Sequence, residues 1–165
     1  MKFLFREIFF KEKNKKIKID INLLMRIKQY LQIHDSTVES GGILCGFVCI
    51  DTFDLLITEM TVPCEGDVLK RNRFIRKSSE HIKIYKKLYE TTNKTCLYIG
   101  EWHTHAESFP VFSKMDADNW KSISKKAKCL PIQIHLIAGT RAIKIWAVCK
   151  EEIPILIDTL FWDDV

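Results

Sequence analysis

The chain has 165 residues, of which 47% are hydrophobic and 28% are charged, and its net charge is +5. This length and composition predict one globular domain over residues 1–165 and exclude wholesale disorder and low-complexity fibres. The longest apolar run, at residues 43–50, is far shorter than the roughly 20 residues of a membrane-spanning helix. Because Arg6 and Glu7 interrupt the apolar N-terminus before a secretory signal can form, we expect a cytoplasmic protein without membrane association.

Strands and helices are predicted to alternate along the chain. Asp20 can cap a helix in which Leu24, Ile27 and Leu31 recur at helical spacing. The tail at residues 153–161 fits either a strand or a short helix. In chain order the predicted elements are a strand at 17–20, the helix capped by Asp20, a hairpin of strands at 43–50 and 55–62, a long loop at 64–77, a helix at 79–90, a strand at 96–102, a helix at 113–128, and a hairpin of strands at 131–137 and 143–149.

The two later helices are each expected to bury one apolar face. The first of these faces is formed by Ile82, Tyr85, Leu88 and Tyr89, and the second by Trp120, Ile123 and Ala127.

The six cysteines are predicted to be reduced core thiols. They are dispersed, mostly in apolar segments, and the sequence contains no CxxC pair, which argues against a thiolate zinc site and a redox motif. These cysteines are Cys45, Cys49, Cys64, Cys96, Cys129 and Cys149.

Three basic clusters, at residues 11–18, 70–77 and 121–128, fit solvated surfaces or a surface for an acidic partner. A nucleic-acid partner is not expected, because no regular series of aromatic residues interleaves with these charges to stack on bases. We keep the cluster at residues 70–77 as a candidate docking surface for a protein.

Two histidines follow the predicted strand at residues 96–102. Because side chains alternate along a strand, His103 and His105 point to the same face, roughly 6.6 Å apart along the chain. Thr104 faces the other way, and the next helix can bring Asp116 back toward the pair. Two imidazole nitrogens and one carboxylate oxygen form a catalytic zinc donor set, because the fourth tetrahedral position stays open for water.

Each part of this pattern also has a structural interpretation. A lone His-x-His pair on a strand is commonly a surface or core feature. Ser113 and Asp116 form an S-x-x-D capping box, in which each side chain bonds the other residue's backbone amide at a helix start.

The joint spacing, H-x-H followed after seven residues by S-x-x-D, resembles the JAB/MPN-type metalloproteases, also called JAMM domains. The segment GEWHTHAESFPVFSKMDADNW matches all four motif positions, and ESGGILCG resembles the upstream glutamate segment of the family. The resemblance covers about residues 20–150. It implies an α/β (α+β) fold with a central mixed β-sheet flanked by helices and a layering like that of cytidine deaminases.

By this resemblance, His103, His105 and Asp116 ligate one Zn²⁺ ion, Glu39 holds and deprotonates a water molecule, and Ser113 helps to stabilise the oxyanion. Glu101 shares the strand face of the histidines and is an alternative base. It could also orient an imidazole or form a salt bridge. Glu107 is expected to be solvated.

The chain departs from the family pattern at Ala106, where a proline commonly follows the second histidine. The segment GEWHTH resembles the corresponding segment of bacterial JAB proteins that are encoded beside ubiquitin-activating and ubiquitin-conjugating-like proteins, including those of CBASS antiphage operons. This implies a deconjugase that cuts after the C-terminus of a ubiquitin-like modifier or conjugated protein, with conjugating-enzyme-like operon partners. The alternatives are a non-catalytic MPN-like interaction module and a DNA-associated JAB-family protein. A zinc deaminase is disfavoured, because the H-x-E and P-C-x-x-C elements are missing.

Overall fold

The structure, a computed structural model, describes residues 4–127, 130–150 and 152–165. In these ranges the chain forms a large mixed sheet flanked by helices, which confirms the predicted fold class. The strands are β1 (Phe5–Phe10), β2 (Lys15–Asp20), β3 (Gly41–Val48), β4 (Leu55–Met60), β5 (Val68–Lys70), β6 (Arg73–Ile75), β7 (Leu97–Thr104), β8 (Ile132–Ala138), β9 (Ala142–Cys149) and β10 (Ile155–Phe161), and the helices are α1 (Ile21–Lys28), α2 (Glu80–Thr91) and α3 (Lys114–Lys126).

Eight of the strands form the sheet in the order β1-β2-β4-β3-β7-β8-β9-β10. The pairs β2–β4 and β7–β8 are parallel, and the other neighbours are antiparallel. β3 and β7 therefore lie at the centre of the sheet, where both of their edges are paired. Within the described ranges, none of the helices combines the length and apolar character needed to span a bilayer.

The helices cover opposite faces of the sheet. Apolar side chains alternate along the central strands, so that Leu44 packs in the main core with α1, whereas its neighbour Ile43 packs with the side chains of α2. The same alternation on β8 places Leu136 in the main core and Ile137 against Trp120 of α3. The face that carries α2 and α3 is therefore divided between two helices, which cover different strands.

The ends of the sheet were the least predictable part. β1 was not predicted, although its alternate residues Ile8 and Phe10 are buried. The tail at residues 153–161 forms β10, which pairs with β9. Asp20 caps α1 as predicted, since its carboxylate accepts the Asn22 amide at 2.9 Å, but α1 ends at Lys28, before Leu31.

Two predicted features of the segment after β4 are wrong. The segment at 64–77 contains the hairpin β5–β6 instead of a continuous loop, because long-range contacts described below hold it in place. In α2, Ile82 is 40% exposed and His81 is the buried residue, since polar partners on both sides of its ring hold it inside. Tyr85 and Leu88 do pack against the sheet as predicted.

The described cysteines are free thiols, and only some of them have the predicted core location. Cys45, Cys96 and Cys149 are buried free thiols, whereas Cys64 is half-buried and Cys49 is exposed in the turn after β3. Cys129 and the predicted C-terminal end of α3 at Lys128 lie outside the described residues.

Candidate metal centre

The strand β7 and the residue after it place the two histidines. β7 pairs with β3 so that Gly41 lies opposite His103. Thr104 points to the other face, as predicted, and its hydroxyl accepts the Ser40 amide at 3.0 Å. A Cβ on Gly41 would come within 2.6 Å of the Trp102 carbonyl oxygen, so only glycine allows this close approach. The register brings the segment that begins with Glu39 beside the histidines.

The start of α3 places the third candidate ligand. The capping box predicted from S-x-x-D is present: the Ser113 amide donates to Asp116 Oδ2 at 2.6 Å, and the Asp116 amide donates to Ser113 Oγ at 3.2 Å. The Ser113 hydroxyl also donates to Asp116 Oδ2, at 2.7 Å. These bonds turn the carboxylate toward the histidines. Asp116 can therefore cap α3 and serve as a candidate ligand at the same time.

His103, His105 and Asp116 converge on one point. The two Nε2 atoms are 3.0 Å apart, and Asp116 Oδ1 lies 3.4 Å from His103 Nε2 while Asp116 Oδ2 lies 3.7 Å from His105 Nε2. One ligand atom from each residue lies within 4.8 Å of the others. Donor atoms this close can bind a single ion, and the set of two imidazoles and one carboxylate is typical of a zinc site with an open position.

The protonation states also fit a cation. Burial and the neighbouring His103 lower the pKa of the His105 imidazole. Burial alone would raise the pKa of Asp116, but the contacts with His103 and Ser113 outweigh it and lower the pKa. At neutral pH, therefore, His105 is a neutral imidazole and Asp116 a carboxylate, which are the forms that bind metal.

Glu39 lies beside the three donors. Its side chain is largely buried, and Oε1 is 4.0 Å from His105 Nε2. Burial raises the pKa of Glu39 to about 7, against a smaller opposite effect from His103. A carboxylate that is half protonated near neutral pH is suited to exchange a proton with a water molecule at the same place.

Two other glutamates lie beside the site, and one of them departs from expectation. Glu101 Oε1 accepts from Arg76 at 2.7 Å, so of its three interpretations the salt bridge is the one formed here. Glu107 is not simply solvated: Oε2 accepts the Val111 amide at 3.0 Å and lies 3.8 Å from His105 Nδ1. At 3.8 Å the carboxylate is beyond hydrogen-bond range of the ring, so it acts on His105 through its charge. The sequence carries no signal for this contact beyond the position of Glu107 two residues after His105.

A layer of buried aromatic rings supports the site from below. Trp120 of α3 packs with its ring centroid 6.3 Å from that of His103, and it stacks on His135 at 4.6 Å. Burial lowers the pKa of His135 to about 3, and within the described part of the chain neither ring nitrogen has a hydrogen-bond partner. His135 is therefore a neutral packing residue that was not predicted.

A second group of potential ligands lies at the base of the hairpin β5–β6, in the segment between β4 and α2. Cys64, Asp67 and His81 lie close together, but their polar atoms bind each other and the backbone. His81 Nε2 is 2.7 Å from Asp67 Oδ2, its Nδ1 is 2.6 Å from Thr61 Oγ1, and the Cys64 thiol donates to the Val62 carbonyl. This group is already saturated with hydrogen bonds and stabilises the fold.

A cleft of about 980 Å³ opens over the metal centre. One wall is the hairpin β5–β6, the other is α3, and the three donors with Glu39 lie at the floor. The Cys45 thiol lies on β3, inside the sheet, where burial raises its pKa to about 12. It is therefore protonated and inert as a nucleophile at neutral pH.

Comparisons with known proteins agree with this geometry. Residues 30–149 match the family described as prokaryotic homologs of the JAB domain. A protein of Escherichia coli named CD-NTase/cGAS isopeptidase is 34% identical over 88% of this chain and 90% of its own length. A protein of Pseudomonas aeruginosa with the same name is 33% identical over 74% of this chain and 76% of its own length.

The fold resembles the solution structure of a protein from Desulfitobacterium hafniense, with a TM-score of 0.52 and 16% identity over 82% of this chain and 83% of that one. At this identity the likeness concerns the fold alone. The family match spans most of the sequence and includes Glu39 and all three converging donors. The chain therefore belongs to the prokaryotic JAB-domain family.

Proposed function

We propose that the protein is a zinc-dependent isopeptidase that hydrolyses the bond after the C-terminus of a ubiquitin-like modifier or other conjugated protein, in the context of antiphage defence. The observation that carries the proposal is the convergence of His103, His105 and Asp116 at the floor of an open cleft, with Glu39 beside them. The names of the relatives specify a CD-NTase or cGAS as the protein acted on, and we extend this substrate to the present chain.

His103, His105 and Asp116 would hold the metal. The fit rests on the donor set itself: two imidazole Nε2 atoms facing each other at 3.0 Å and a carboxylate oriented toward both. When bound, zinc lowers the pKa of a water molecule to about 7 and polarises a carbonyl group. The Glu107 carboxylate places a negative charge 3.8 Å from His105 Nδ1, and the capping box orients Asp116.

The proton transfers are assigned to Glu39. Its carboxylate lies beside the donors, so it accepts a proton from the attacking water and passes it to the leaving amine. General-base assistance of this kind is worth roughly 10²- to 10⁴-fold in rate. The Ser113 hydroxyl orients Asp116 and can turn toward the substrate oxygen that gains negative charge, a contribution of roughly 10²- to 10³-fold.

The cleft would bind the C-terminal tail of the conjugated protein in an extended conformation. The central strands β3 and β7 are paired on both sides, so the main-chain groups next to the cleft come from the hairpin β5–β6. An extended tail can add to such an edge through main-chain hydrogen bonds. The arginines of the hairpin give this wall a positive charge suited to an acidic partner. The cytoplasmic location and the operon partners remain predictions.

The test is cleavage of a CD-NTase whose C-terminal carboxylate is joined through an isopeptide bond to a fluorescent lysine. We expect the wild-type protein to release the lysine, and the chelator 1,10-phenanthroline or the substitution His103→Ala to abolish release. Glu39→Gln is expected to bind zinc and not to cleave. His34→Ala is the matched control, because the His34 side chain is exposed and away from the donors. Cleavage that survives both the chelator and His103→Ala would refute the zinc mechanism.

A further inference from the structure

The hairpin β5–β6 contacts Glu39 directly. The Glu39 amide donates to the Lys70 carbonyl at 2.8 Å. The Phe74 ring lies against Gly41, close enough that a Cβ there would come within 2.6 Å of it. The hairpin therefore holds the main chain of Glu39 and packs against the residue two positions along.

The tip of the hairpin is tied to the segment that leads into Glu39. Gln32 is 3% exposed, and its Nε2 donates to the Arg71 carbonyl at 2.7 Å and to the Thr37 carbonyl at 3.1 Å. The Arg71 guanidinium donates in turn to the carbonyls of His34 and Asp35 at 3.0 and 2.7 Å. One buried amide thus joins the hairpin to the chain just before Glu39.

The base of the hairpin is fixed separately. Asp67 Oδ1 accepts the amides of Lys77 and Ser78, and Oδ2 is bonded to His81. Arg76, directly after β6, forms the salt bridge with Glu101 of β7. A short two-stranded hairpin is marginal by itself, so its position depends on these contacts at its base and tip.

We propose that the hairpin β5–β6 is a fixed positioning element for Glu39, and that Gln32 and Arg71 are positioning residues that hold it. The inference rests on the proposed function in that Glu39 is the base. It adds two residues outside the donor set, Gln32 and Arg71, on which turnover depends. Because an error of about 1 Å in the position of a reacting group can cost 10²-fold in rate, loss of the tie at the tip lowers turnover.

The test compares Gln32→Met with Gln133→Met. Gln32→Met keeps the volume of the side chain, removes both donated hydrogen bonds and also removes Oε1, which has no partner among the described residues, so the fold is expected to survive. Gln133 is equally buried, but neither of its polar atoms has a partner in the described ranges, so its substitution loses no hydrogen bond. Hydrogen exchange, zinc stoichiometry, kcat and KM are measured for both variants.

For Gln32→Met we expect faster amide exchange at Glu39, unchanged zinc stoichiometry and a kcat at least about 10-fold lower. KM rises too, because the same hairpin is the proposed wall for the substrate tail. Gln133→Met is expected to match the wild type in all four. Unchanged exchange at the Glu39 amide in Gln32→Met would overturn the proposal, as would an equal kcat loss in the two variants.

A backbone variant tests the contact between the hairpin and the Glu39 main chain. Replacing Glu39 by its α-hydroxy acid turns the preceding amide into an ester, which removes the N–H that donates to the Lys70 carbonyl and keeps the carboxylate side chain. We expect kcat to fall at least about 10-fold while zinc stays bound, and a wild-type kcat would overturn the role of this contact. If the wild-type protein cleaves no conjugate, the proposed function fails, and the exchange measurement still decides whether the hairpin positions Glu39.

Discussion

Replacing Thr61 by valine should destabilise the protein strongly, because the Thr61 hydroxyl links three elements. Thr61 Oγ1 accepts the Ile43 amide of β3 at 2.8 Å and lies 2.6 Å from His81 Nδ1 at the start of α2. His81 Nε2 donates to the Asp67 carboxylate, so Nδ1 is the free acceptor and the Thr61 hydroxyl donates to it. The result is one buried chain of hydrogen bonds from β3 to Asp67.

The magnitude follows from the groups left unpaired. Valine has nearly the shape of threonine, so Thr61→Val opens no cavity. It leaves the Ile43 amide and His81 Nδ1 without their hydrogen-bond partner. A buried polar group without a partner costs about 1–3 kcal/mol, so the free energy of unfolding should fall by about 2–6 kcal/mol. For a chain of this size this loss lowers Tm by at least about 4 °C. Thr61→Ser keeps the hydroxyl and should lose much less.

The assay is urea denaturation, with the midpoint compared at a constant slope. Thr58→Val is the matched control, because Thr58 Oγ1 is also buried but has no hydrogen-bond partner among the described residues. Its removal should be neutral or slightly stabilising. If Thr61→Val lay within about 0.5 kcal/mol of Thr58→Val, the hydrogen-bond chain would contribute nothing and the reasoning would be refuted.

Three predictions concern the metal centre. Because burial raises the pKa of Glu39 to about 7 and a base acts in its ionised form, kcat/KM should fall as the pH drops below about 7; a flat profile from pH 8 to 5 would contradict this assignment. Asp116→Asn should weaken zinc binding in calorimetry by at least about 10-fold, whereas Asp118→Asn, two residues along α3 and exposed, should not. Glu107→Gln removes a negative charge 3.8 Å from His105 Nδ1 and should lower zinc affinity by up to about 10-fold, and a wild-type affinity would exclude that role.

The donor set was predictable because its signals are local. Alternation along a strand put His103 and His105 on one face, and the S-x-x-D pattern marked the start of α3 whatever else Asp116 does. Glu39 was different: it lies more than sixty residues before the histidines, and only the family resemblance placed it at the site. The β3–β7 pairing that brings them together is a long-range contact without a sequence pattern of its own.

The hairpin β5–β6 and His81 show where local patterns fail. Residues 70–77 are dominated by charge and read as a loop, yet the buried Gln32 amide and the Asp67 carboxylate hold them as strands. Ile82 was assigned to the buried face of α2 from its apolar character. The buried residue next to it is His81, because its two ring nitrogens find partners that no periodicity could indicate.

The outer strands of the sheet have a consequence for how molecules of this protein meet each other. β1 and β10 are the two ends of the strand order, yet some of their Cα atoms lie within 8 Å of one another, and Phe10 and Leu160 share the main core. The sheet thus curls so that its outer strands β1 and β10 lie close together. Glu7 on β1 adds exposed charge beside Lys16 and Lys18. A curled edge that carries exposed charge on β1 hinders the pairing of that strand with a strand of a neighbouring molecule.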